Sequence, residues 1–496
     1  MSSLFRSRLA KEFDDRTARF HTSVVEDLRM FNEDIDGTMA HDIMLHEQGI
    51  MEEEPLKKIL GALQEIKDEW NNGELEIGAE YEDIHEFIEA RVIEKIGMEA
   101  GGAMHTGRSR NDQVMVDMKM VTKKEMLAIA ENVLNLVKTM CELADKHTET
   151  PMVYYTHGQP ATVGTFGHYL LAYVDQYMRD YQRIKACYDR VNYNPLGAAA
   201  IGGTNFRISR LRTSELLGFD YIQENSMDAV SSRDWAMECT SVLSILMANM
   251  SRMAADFVMW AGAEFQYITV ADEYSSSSSI MPQKVNPSTA ELIRGKSAEV
   301  FGTLQEIMTM VKGLPTGYYQ DLQQTKIALW RAFDTTRTSV EVLNGIINTL
   351  KVNEDKMMDQ VRGSFIFAVQ LAETLAEDEA LTFREAYKIT AEVVKKLVSE
   401  DRTLEDLQAE EVQKVAKDLF DKDIKVSSSI AEKVSNPKKA LSNLRSPGSP
   451  HPAEIGMAVE NRLELRERYW KELDFLKIKL VIAADNLKNA LAKYTA

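Results

Sequence analysis

The sequence predicts an all-α fold organised around a bundle of long helices. Three observations carry that expectation. The 496 residues are 44% hydrophobic and 27% charged, ordinary usage for a globular chain and far from the composition of disorder. The 11 prolines are unevenly spread, with none between Leu56 and Thr150, between Leu196 and Met281, or between Thr316 and Asn436. An interior proline breaks a helix, so these intervals have room for long ones. Within them apolar residues recur at three- and four-residue steps, and no strand-rich stretch interrupts the series.

The clearest element runs from Asn111 to His147, where Val114, Met118, Val121, Ile129, Val133, Leu136, Val137, Met140 and Ala144 mark one helix face. At 1.5 Å per residue it spans roughly 50 Å. Phe166, Leu170, Tyr173, Val174, Tyr177, Tyr181, Ile184 and Tyr188 repeat the pattern, as do Val242 to Trp260 and Val300 to Val311. Met247, Met250, Met253 and Met259 are expected to fill core gaps, since thioether chains adapt to irregular space. Pro437, Pro447, Pro450 and Pro452 mark a turn or exposed loop before a last helix near Ile455. A chain of this length is expected to divide into about two to four domains.

Lys plus Arg total 58 against 77 Asp plus Glu, a net charge of -19, which disfavours nucleic acid and anionic lipid as partners. A site for an anionic small molecule must then be a local basic cluster. The cysteines Cys141, Cys187 and Cys239 lack metal-ligand or redox spacing and read as buried apolar side chains. Met1 to Asp15 carries Arg6, Arg8 and Lys11 without an apolar core, and no run approaches the ~20 apolar residues of a membrane span, so a cytoplasmic location without a membrane partner is expected.

Three polar segments stand out from the helical pattern. His105-Thr-Gly-Arg-Ser-Arg-Asn-Asp112 sets two arginines, including Arg110, ahead of the longest predicted helix. Helix N-terminal amides and guanidinium groups suit a carboxylate or phosphate, and an ordinary cap by Ser109 or Asn111 with solvated arginines explains the segment equally well. Tyr155-Thr-His-Gly-Gln-Pro-Ala-Thr162 places His157 where a helix is expected to begin; the histidine suits general acid or base work, and a structural role is the commoner one. Ser275-Ser-Ser-Ser-Ser-Ile-Met-Pro-Gln-Lys-Val-Asn-Pro287 reads as a polar lid carrying Lys284 and Asn286, because a plain serine linker is not normally followed by Ile-Met-Pro and a helix.

The third segment resembles the Gly-Ser-x-x-Met-Pro-x-Lys-x-Asn signature of the fumarase, aspartase and argininosuccinate lyase superfamily, with Ser277 in place of its glycine and Ser278 at its serine. Within that superfamily His105 to Val114 resembles argininosuccinate lyases. Asn225 to Asp234, Glu82-Asp-Ile-His85, Lys312-Gly-Leu-Pro315 and Asp321-Leu-Gln323 with Lys326 agree. Thr156 to Thr162 is closer in wording to adenylosuccinate lyases. The resemblance extends from about Phe20 to about Glu454.

The resemblance implies a three-domain helical fold shared in a homotetramer, with an N-terminal helical domain over residues 1–110, a central bundle over 111–360 and a C-terminal domain over 361–496. It implies cleavage of argininosuccinate to arginine and fumarate, with adenylosuccinate cleavage as the near alternative and a non-catalytic, crystallin-like structural role as the distant one. It implies Ser278 as base, His157 as acid or orienting partner, and Lys284 and Asn286 as donors to the developing charge. Asn111 and Thr156 would meet the succinyl carboxylates, Ser23, Tyr318, Gln323 and Lys326 the arginine-like part, and Asp27 the amine pocket. Arg110 is the local counter to the acidic surface. No metal or organic cofactor is implied. Gly197, Gly202 and Gly203 lack the strand-turn-helix setting of a nucleotide loop and read as small residues at a helix contact.

Overall fold

The structure is a computed structural model that describes residues 13–78, 80–378 and 381–495. Residues 1–12, on which the expectation about a leader segment partly rests, lie outside them. Helices dominate. The Arg110–Lys146 helix, 37 residues long, starts at a capping box in which Ser109 and Asp112 satisfy each other's backbone amides. At 1.5 Å per residue it is about 55 Å long. It packs along Phe166–Val191, Thr325–Thr349 and the 44-residue Pro452–Thr495 helix. Asp234–Trp260 and Ser288–Val311 complete the bundle.

The apolar stripes read from the sequence meet in one large core. Val133, Leu136, Val137 and Met140 share it with residues such as Leu170, Val174, Leu243 and Leu246. Met247, Met250 and Met253 are fully buried there, whereas Met259 is 44% exposed and departs from the expected core stripe. Asp234–Trp260 is also, against expectation, long and apolar enough by composition to cross a membrane; half of that stretch is buried inside the fold. The N-terminal helices Phe31–Glu47, Glu53–Asn71 and Ile84–Ile96 pack on the same core.

A second core forms from residues 361–441 together with Val153 and Val163. The Pro452–Thr495 helix does not join it but returns to the bundle through Ile455, Val459, Leu473 and Leu487. The segment 361–496 is thus shared between two cores.

Strands are few and short among the described residues. The longest pair is the antiparallel hairpin of Pro151–Thr156 with Gln159–Thr165, where the sequence suggested the approach of a helix. The reason is local: His157 and Gly158 both hold positive φ, 54° and 70°, which makes the tight two-residue turn that right-twisted strands prefer. The helix begins only at Phe166. Gly197, Gly202 and Gly203 lie between elements; Gly197, at φ 94°, packs closely against Arg210 at the start of the Arg210–Leu217 helix and donates its amide to the Asp112 carboxylate, whereas Gly202 and Gly203 face open space.

Candidate functional site

A cleft of about 100 Å³ opens where the start of the Arg110–Lys146 helix meets segments near residues 23–27, 82–85 and 318–326. Its lining includes seven residues singled out in the sequence: Ser23, Asp27, Arg110, Asn111, Tyr318, Gln323 and Lys326. Each position follows from local structure. Ser23 begins the short Val24–Asp27 helix, Arg110 and Asn111 stand at the mouth of the long helix, and Lys326 is on the first turn of Thr325–Thr349.

Charges in the cleft are paired. The Lys326 ammonium contacts Asp27 Oδ1, and Ser23 Oγ donates to Asp27 Oδ2 at 2.7 Å, all three being buried. Arg110 lies 3.0 Å from Asp83 and 3.9 Å from Glu82. Burial, reinforced by Asp83, raises the Glu82 carboxyl above its ordinary range. The Asn111 amide donates to the Ala200 carbonyl at 2.8 Å, tying the helix start to the glycine-rich turn. The neighbouring Asp112 does the same more firmly, accepting the amides of Gly197 and Ala199 at 2.8 Å each and of Ser109 at 2.9 Å. Its burial pushes its pKa up to about 6 despite those donors.

The remaining five residues do not line this cleft. Thr156 and His157 occupy the exposed tip of the Pro151–Thr165 hairpin, where His157 is held in a left-handed conformation uncommon for a non-glycine residue. Ser278, Lys284 and Asn286 belong to a second turn, closed by an antiparallel ladder between Ser276–Ser277 and Val285–Asn286. Ser278 Oγ accepts the backbone amides of Ile280 at 3.3 Å and Met281 at 3.0 Å, and Lys284 Nζ contacts Asn286 Oδ1. Two amides aimed at one hydroxyl favour negative charge on it. The turn is ordered by these bonds, while Ile280, Met281 and Val285 remain exposed.

Beneath the cleft lies a buried polar network. His85 lines the cleft floor and places Nδ1 2.9 Å from Asp34, which also accepts from the Gln113 amide. Burial opposes a charge on His85, but Asp34 outweighs it and raises the imidazole pKa; Asp34 is in turn lowered against its own burial by His85 and Arg108. Asp117, 3.8 Å from the His85 ring, is raised well above the carboxylate range by burial and by Asp34. Asp34, His85 and Asp117 bring potential metal-ligand atoms within 4.8 Å of one another. Within this trio a hydrogen bond joins His85 and Asp34, and we assign no metal to it.

His85, Glu82, Asp83 and Gln320 are cleft residues that motif reading did not select as site residues. The available signal was Asp83, the N-cap of the Ile84–Ile96 helix, with a histidine two positions later.

Comparison with known proteins follows the same lines. A family profile described as lyase matches residues 7–302, and one described as argininosuccinate lyase C-terminal matches residues 365–435. The chain is 39% identical over 491 residues to the argininosuccinate lyase of Methanosarcina mazei, covering 99% of both. It is 40% identical over 455 residues to that of Geobacillus thermodenitrificans, covering 92% of this chain and 97% of the other. Among solved structures, EDDS lyase in complex with formate superposes with a TM-score of 0.86 at 27% identity, covering 94% of this chain and 92% of that one.

Proposed function

Because the chain belongs to the argininosuccinate lyase family, we propose that it splits argininosuccinate into L-arginine and fumarate and that its cleft receives the amino-acid end of the substrate. The observation that carries this reading is the convergence of Ser23, Asp27, Arg110, Asn111, Tyr318, Gln323 and Lys326 on one cleft from segments about 300 residues apart. Its charge supports the substrate. The carboxylates of Asp27, Glu82 and Asp83 outnumber the cations Arg110 and Lys326 in the lining, a balance that suits a substrate end carrying an ammonium or guanidino group and opposes the phosphate of adenylosuccinate. The expected result is fumarate from argininosuccinate and none from adenylosuccinate at the same enzyme concentration; the reverse would overturn the assignment.

The reaction breaks one C–H and one C–N bond. Ser278 takes the proton from the succinyl carbon beside a carboxylate, and the electron pair moves into that carboxylate as an aci-carboxylate dianion. An unassisted serine hydroxyl is far too weak a base for this, and the amides of Ile280 and Met281 at its Oγ support its ionised form. Lys284 and Asn286, on the same turn, stabilise the dianion. Collapse forms the double bond of fumarate and expels the guanidino nitrogen, which takes a proton from His157. Thr156 and Asn111 hold the succinyl carboxylates.

A complete site on this reading draws on more than one copy of the chain. The cleft, the His157 hairpin and the Ser278 turn are separate features of one chain, and Leu292 and Phe301 on the Ser288–Val311 helix are 61% and 42% exposed. Such side chains suit a bundle shared between subunits of a homotetramer. The division at 1–110, 111–360 and 361–496 and a cytoplasmic location belong to the same reading.

A further inference from the structure

The hairpin carrying Thr156 and His157 is held from both faces. Alternate residues of a strand point to opposite sides, and here the two sides meet different cores. Val153 and Val163 are buried in the second core, and the first strand contacts the Glu354–Arg362 helix. Met152 and Tyr154 face the bundle.

On the bundle side a continuous polar chain begins at the hairpin. The Tyr154 ring lies flat across Gly164, where an added Cβ would come within 2.0 Å of the ring. Its hydroxyl lies 3.0 Å from the Thr165 carbonyl oxygen and 2.8 Å from His168 Nδ1, and it accepts the Thr165 amide at 3.3 Å. His168 Nε2 lies 2.9 Å from the Gly448 carbonyl. A carbonyl only accepts, so Nε2 carries a proton; in the neutral ring Nδ1 is then an acceptor, and the single Tyr154 proton is shared between it and the Thr165 carbonyl. The imidazole and phenol rings are also stacked, 5.9 Å apart. The chain therefore runs from the hairpin, through the first turn of the Phe166–Val191 helix, to the loop that precedes Pro452–Thr495.

We propose that Tyr154 and His168 are positioning residues for the elimination: they fix the hairpin, and with it His157, against the loop at Gly448. This rests on the reading of His157 as the proton donor to the leaving group. Neither residue lines the substrate cleft, so their loss acts through the two groups the hairpin carries, His157 for the proton transfer and Thr156 for a succinyl carboxylate, rather than on capture of the amino-acid end. Tyr154→Phe removes one oxygen and keeps the ring over Gly164. His168→Gln keeps a donor for Gly448 and loses the partner of the phenol.

The test measures kcat and KM for Tyr154→Phe, His168→Gln and the double variant, with His157→Asn as reference, and amide hydrogen exchange across residues 151–165 in each full-length protein. Each single variant is expected to lower kcat about tenfold, since small misplacement of a reacting group is costly, with KM rising by less than kcat falls because Asn111 and the cleft still hold the substrate. The double variant is expected to be no worse than the weaker single one, because both break one chain. Exchange at the hairpin tip should rise in all three. Wild-type kcat and unchanged exchange in both single variants, with His157→Asn inactive, would overturn the proposal; so would multiplicative losses in the double variant. If His157→Asn itself turns over normally, the assignment of His157 falls, and the exchange rates alone decide whether the chain holds the hairpin.

Discussion

Lys326 and Asp27 form an ion pair across 299 residues of sequence, with 2% and 0% of their side chains exposed. A buried charge whose partner is removed has neither water nor a counterion, and breaking such pairs typically costs about 3–5 kcal/mol. Lys326→Met should lose stability of this order in urea melts and also raise KM. Lys326→Met combined with Asp27→Leu should recover much of the stability, because no charge is then stranded, while KM stays high. That separation distinguishes a binding role from a purely structural one.

Asp112 makes the stability of the cleft mouth depend on pH in an unusual direction. Its folded-state pKa, about 6, lies above the ordinary 3.8, so between these values the folded state binds more protons than the unfolded one. Its contribution to stability is present at low pH and is lost as pH rises through about 6. Asp112→Asn cannot serve all three amides that the carboxylate accepts, and should cost about 1–2 kcal/mol. Thermal melts should show that deficit to be larger at about pH 4.5 than at about pH 7.

Gly164→Ala should destabilise the hairpin by about 1–3 kcal/mol, the cost of forcing a methyl group into filled space, here against the Tyr154 ring. Adding Tyr154→Ala should restore part of the loss by vacating the space. Circular-dichroism melts of the single and double variants read the effect directly.

The long helices were legible because one buried stripe imposes its period on the sequence: the element read from Asn111 to His147 matches the Arg110–Lys146 helix to within a residue at each end. The hairpin was not, because His157 adopts a conformation that glycine usually supplies, and His-Gly carries less turn signal than Asn-Gly. The ionic network also escaped notice. Asp34 and Asp117 belong to no motif in the sequence, and only packing shows them buried around His85. Of the site, the cleft residues came together in one chain, while Thr156, His157, Ser278, Lys284 and Asn286 stand apart from it. Sequence spacing gives no access to contacts made between copies.

Composite sites have a direct consequence. Ser278→Ala and His157→Asn should each be inactive alone. If different subunits supply the hairpin and the serine turn, mixing the two proteins under conditions of subunit exchange should restore a fraction of wild-type fumarate production. A mixture that exchanges, as shown by mass-tagged subunits, and stays inactive would place both groups in one chain.

The most direct measurement is product analysis on the purified protein with argininosuccinate. Arginine and fumarate should appear in equal amounts, and Ser278→Ala should abolish both while the substrate still raises the variant's melting temperature. An absence of both products from the wild-type protein at high enzyme concentration would contradict the account.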